Sequence, residues 1–150
     1  MIKIMSLRKN SMRIIHRIQD IDKFEETYQY VEQTFNNQAN TFYTMIEGTK
    51  CLSKEDLFDE FALKLKFPDY FGANWDAFDE CLNDLHWLAS EKYILFIKDF
   101  DYILVDQIDE FDTFIDILKL TVDEWFSGRL GTLSTSSFQI VIQSTNHLDY

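Results

Sequence analysis

From Thr41 onward, short apolar runs alternate with longer stretches of helical period, and this alternation limits the folds open to the chain more than any other feature. "FYTMI" at 42–46 reads as a strand closed by Gly48. "KEDLFDEFALKLK" at 54–66 reads as a helix, with Ser53 as its N-cap, Asp56 at the reciprocal position of a capping box, and Pro68 to end it. "YILFI" at 93–97 is a second strand. A helix is expected from about Asp106 to Phe126, with Ile108, Phe111, Phe114, Ile115, Leu118, Val122 and Trp125 on one stripe and Gly128 as its stop. The loop "GRLGTLSTSS" then leads into "FQIVI" at 138–142. Strands made of apolar runs rather than strict alternation are buried on both faces. The expected fold class is therefore α/β: a small parallel sheet of three strands covered by helices, with a fourth strand open to the N-terminal residues.

Those N-terminal residues follow the scheme less closely. "MRIIHRI" at 12–18 can form the extra strand, and 23–35 a helix with Phe24, Tyr28, Val31 and Phe35 turned inward. Their need for cover favours packing on the sheet over dimerisation or an extended interface, and monomer and weak dimer both stay open. The chain has 150 residues, enough for one domain with a proper core. The expected division is an extension at 1–40 packing on a domain at 41–150, and no repeat or linker marks a second domain.

Charge narrows the function. The formal net charge is -12, which argues against a nucleic-acid binder, because such affinity comes from Lys and Arg displacing counterions from phosphates. The distribution is uneven. Residues 1–23 hold six basic groups against Asp20 and Asp22, whereas the other 127 residues hold 8 basic and 24 acidic groups. Cys51 and Cys81 lie far apart without a CxxC, which suits a reducing compartment and a place in the core. The first twenty residues lack the uninterrupted apolar region of a signal peptide, and no apolar run can span a bilayer. A cytoplasmic protein with a basic partner is the expectation.

The acids concentrate in "DYFGANWDAFDECLNDL" at 69–85, where Asp76, Asp79, Glu80 and Asp84 fall within nine residues that contain no Lys, Arg or His. On a helix starting after Asn74, these four lie within about 140° of one another, opposite Ala77, Phe78, Cys81, Leu82, Leu85 and Leu88. Pairs such as Asp76/Glu80 and Glu80/Asp84 are neighbours at i, i+4, where like charges cost on the order of 0.2–0.5 kcal/mol each. The helix N-terminus favours Asp76 and Asp79 but not Asp84. Folding gains nothing from the full set. A solvated face is the ordinary explanation; the aromatics Tyr70, Phe71 and Trp75 beside a rigid negative face offer another, a surface shaped for a basic pocket. Burial in the core is the competing use of those rings.

The stretch "KFPDYFGANWDAFDECL", with a strand and helix before it and "YILFIKDF" after it, resembles the barstar family of intracellular ribonuclease inhibitors from about Thr41 to Ile142. The resemblance implies a small α/β fold and no enzymatic activity or cofactor. It implies an inhibitory surface that plugs a nuclease active site, with carboxylates standing where RNA phosphates would. Tyr70, Gly72, Asn74 and Asp76 match inhibitor positions of the family, and Glu80 falls where its most important aspartate sits. Trp75 replaces a leucine and Asp79 a tryptophan. A further family glutamate aligns with Leu120, with Asp123 and Glu124 one turn on. The implied function is an antidote or immunity protein against a basic ribonuclease other than barnase, bound through Tyr70, Gly72, Asn74, Trp75, Asp76, Asp79 and Glu80.

Other chemistries find less support. Paired carboxylates can act as acid and base or hold Mg²⁺, but in enzymes they converge in a cleft, not on a convex helix. The chain has no P-loop, GxGxxG, HExxH or GxSxG. "DFDYILVDQIDE" begins like a calcium loop but has Ile103 at the third ligand position and no glycine in the turn. His16, His86 and His147 are scattered, and no metal site is expected. An interaction module for a basic partner unrelated to RNA is the alternative.

Overall fold

In the computed structural model, residues 3–4, 15–126 and 137–146 are described, Lys3, Ile4 and Phe126 by their backbone alone. The strands are β1 (Lys3–Ile4), β2 (Ile15–Ile18), β3 (Thr41–Glu47), β4 (Lys92–Lys98) and β5 (Ser137–Gln143). The helices are α1 (Ile21–Phe35), α2 (Lys54–Lys64), α3 (Trp75–Asp84) and α4 (Phe111–Phe126). One sheet runs in the order β1-β2-β5-β4-β3. Its β2, β5, β4 and β3 are parallel, and the two-residue β1 pairs antiparallel with β2 at the edge. The α/β fold expected from the apolar runs is what the chain forms, with the fourth parallel strand supplied by the N-terminal residues.

Both faces of the sheet are covered, which explains why its strands read as apolar runs. On β4, Tyr93, Leu95 and Ile97 join the larger core beneath α2, α3 and α4, while Ile94 and Phe96 point to the other face. There α1 packs Phe24 and Tyr28 edge-on against Phe96, with ring centroids 5.6 and 5.0 Å apart. Phe24 and Val31 are buried, and Tyr28 and Phe35 are partly so. The parallel register aligns Thr44, Leu95 and Ile140 across the three central strands.

Element boundaries differ from expectation where contacts distant in sequence intervene. Helix α4 begins at Phe111 rather than near Asp106, and Ile108 lies outside it, 71% exposed in a turn of 3-10 helix. The cause is backbone pairing: Leu104 N–H donates to Cys51 O and Asp106 N–H to Leu52 O, so these groups are engaged before a helix can form. Helix α2 stops at Lys64, two residues early, because Lys66 turns left-handed at φ 56° and Phe67 N–H closes on Ala62 O. That is a Schellman-type stop, and Pro68 lies beyond it. Helix α1 starts at Ile21, two residues early, because the Asp20 carboxylate caps Asp22 and Lys23 N–H. The Gly128 stop, the loop at 128–137 up to Ser136, and residues 12–14 of the N-terminal strand lie outside the described residues.

Candidate acidic interface

The site is built by the loop after α2 and by α3. Phe71 N–H donates to Pro68 O across 3.0 Å, closing a turn that turns Phe71 inward against Phe58 and Phe67 and leaves Tyr70 70% exposed. Gly72 follows, its carbonyl accepting from Asn74 Nδ2 at 3.3 Å; a Cβ on Gly72 would stand 3.2 Å from that nitrogen. Ala73 takes φ 53°, a left-handed conformation unfavourable for a residue with a Cβ. Asn74 then caps α3, its Oδ1 accepting Ala77 N–H at 2.8 Å. The helix therefore starts where the sequence places it.

Phe78, Cys81, Leu82 and Leu85 are buried beneath α3, whereas Asp76, Glu80 and Asp84 are exposed on its outer side. Burial pushes the Cys81 thiol up, with Asp84 and Glu80 adding to the shift, and it stays a core residue. Asp84 accepts from the ring of His86 at 2.9 Å. Ion pairs join Lys54 to Glu110, Lys64 to Glu60 and Lys98 to Glu25. None involves Asp76, Asp79 or Glu80. The carboxylates of Asp76 and Glu80 thus face outward without a cation of their own chain among the described residues.

Asp79 stands apart from its neighbours. It is half-buried, and Asn83 Nδ2 donates to its Oδ1 at 2.8 Å and to its carbonyl at 3.0 Å. Burial raises its pKa above the ordinary carboxylate value, the Asn83 bond opposes this, and the charges of Asp76 and of Glu124 on α4 raise it further. Glu124 therefore lies within electrostatic reach of α3, while Leu120, at the position the resemblance marks for a further glutamate, is exposed.

Trp75 is not on the open surface. Its indole packs on Phe58 at 5.0 Å, Phe78 at 5.6 Å and Phe114 at 6.4 Å, and its Nε1 donates to Glu110 Oε1 at 2.7 Å. Glu110 also meets Lys54 Nζ at 3.6 Å, and the backbone N–H of Lys54 donates to the Gln107 side chain. The start of the acidic helix is thereby tied to α2 and to the turn before α4. Of the sequence-marked residues, Tyr70, Gly72, Asn74, Asp76 and Glu80 are each exposed, Asp79 is half-buried, and Trp75 packs inward beneath the start of α3. Sequence reasoning passed over Glu110 and Asn83. Asn83 carried a legible signal at i, i+4 from Asp79; Glu110 carried none.

Among the described residues no helix is long and apolar enough to cross a membrane. The family model described as Barstar (barnase inhibitor) matches residues 40–143. No curated protein matches the chain.

Proposed function

The chain belongs to the barstar (barnase inhibitor) family, and on that premise we propose that it is an antidote or immunity protein that binds a basic ribonuclease and blocks its active site in the cytoplasm of the cell that makes both. The observation that carries this reading is the pair of exposed acids, Asp76 and Glu80, one turn apart on a helix whose other side is locked in the core. A ribonuclease site must attract and hold phosphate, so it is lined with Lys, Arg and His. Carboxylates at fixed spacing satisfy those cations while offering nothing to cleave. Tyr70 supplies an exposed ring beside the acids, Gly72 and Asn74 set the loop, Asp79 and Glu124 extend the negative field toward α4, and Trp75 holds the helix start in place. No catalytic role, metal or cofactor enters this reading.

The test is inhibition of RNA cleavage by basic ribonuclease captured at low salt from the same cell. The unaltered chain is expected to block cleavage, and the double variant Asp76→Lys, Glu80→Lys to lose the block while its circular dichroism and melting stay unchanged. Inhibition that survives the charge reversal would refute the proposal. Capture of a basic protein without any effect on RNA cleavage would instead identify an interaction module.

A further inference from the structure

Resting on the inhibitory reading, we propose that Asn83 is a positioning residue of the acidic face, holding the Asp79 carboxylate at the junction of α3 and α4 where a Lys or Arg of the target nuclease meets it. Asn83 Nδ2 reaches both the carbonyl and Oδ1 of Asp79, at 3.0 and 2.8 Å, so one amide fixes the carboxylate relative to its own backbone. The other end of the same amide is poorly served: Oδ1 is buried and has no hydrogen-bond partner among the described residues. A buried acceptor left unpaired costs free energy, and an apolar side chain would serve the fold better at this position. The arrangement makes sense for the acid it holds.

Asp79 in turn gains little within the chain. It is half-buried, and the charged groups that act on it, Asp76 on its own helix and Glu124 on the neighbouring one, are both acids. A cation brought by a partner would relieve that repulsion and desolvation together, and the charged form of Asp79 would be favoured in the complex. Binding to such a partner therefore releases a proton from the fraction of Asp79 that holds one, and a flexible Asp79 would meet the cation with less fixed geometry.

The experiment has two arms. Carbon-detected NMR follows the Asp79 side-chain carboxyl through an acid titration in the unaltered full chain, in Asn83→Ala and in Asn83→Gln, which keeps an amide donor. Inhibition of the basic ribonuclease captured at low salt from the same cell is measured for the same proteins and for Asp79→Ala with and without Asn83→Ala. Asn83→Ala is expected to move the Asp79 midpoint upward and to weaken inhibition roughly tenfold, with partial recovery in Asn83→Gln and no added loss in the Asp79→Ala background. An unchanged Asp79 midpoint, or an equal loss with Asp79 already removed, would overturn the positioning role. Failure of the inhibitory reading shows separately, as the unaltered chain leaving RNA cleavage untouched; the titration, which needs no partner, then decides the role of Asn83 by itself.

Discussion

The indole Nε1 of Trp75 donates to Oε1 of Glu110 across 2.7 Å, joining residues 35 apart in sequence. Through this bond the first turn of the acidic helix is anchored to the segment that leads into α4. Removing the acceptor leaves a partly buried N–H without its partner. Glu110→Ala is expected to lower stability by about 1–2 kcal/mol, while Glu110→Gln, which keeps an oxygen acceptor, retains most of it. Urea midpoints report the stability change, and the Trp75 indole proton resonance reports the bond itself.

Glu80 has acids one turn away on each side, Asp76 and Asp84, and stands clear of the helix N-terminus that favours Asp76. Glu80→Gln removes both repulsions. Stability is expected to rise by about 0.4–1 kcal/mol, with inhibition of a basic ribonuclease weakened at the same time. A thermal melt paired with an RNA-cleavage assay would reveal these opposite signs; a fall in both would show that the side chain serves the fold.

The pKa of Asp79 is raised, first by burial. The folded chain therefore holds a proton that the unfolded chain has already released, and stability falls as pH rises through that interval. Above it the penalty is present in full. Asp79→Asn, whose oxygen can still accept from Asn83, should be slightly more stable than the unaltered chain at neutral pH, and its advantage should vanish in acid. Denaturant titrations at several pH values test both statements.

Asp101 behaves oppositely. Burial pushes its pKa up, but bonds from Ser144 Oγ, Thr145 N–H and Oγ1, and Asn146 N–H outweigh this and hold it below the ordinary carboxylate value. A depressed carboxylate stabilises the fold above its unfolded pKa, and that contribution disappears as pH falls through the folded value. Asp101→Ala should therefore cost on the order of 1–3 kcal/mol at neutral pH and progressively less toward strong acid, measured by the same titrations.

Gly48 follows β3 at a place where the chain passes close to the end of β4. A Cβ there would sit 2.0 Å from Asp99 O and 2.6 Å from Lys98 O, both backbone atoms that cannot rotate aside. Gly48→Ala is expected to destabilise by roughly 3 kcal/mol, read as a lowered melting temperature, even though the acidic face is untouched.

Local features of the chain were enough to locate most elements and the acids. Apolar runs marked β3, β4 and β5 to within a residue at either end, and the 3.6-residue period put Asp76, Glu80 and Asp84 opposite Phe78, Cys81 and Leu82. Ser53 announced the start of α2, because a cap acts on an N–H only three residues ahead, and α3 starts after Asn74 as expected. Such information is written within a turn or two of the backbone. Tertiary structure alone decided that β2 lies beside β5, that α4 waits until Phe111, that Tyr70 faces solvent while Trp75 turns inward, and that Glu110 holds Trp75. Each of those outcomes depends on a partner tens of residues away, and its identity emerges only when the sheet and helices compete for the same space and the same hydrogen bonds.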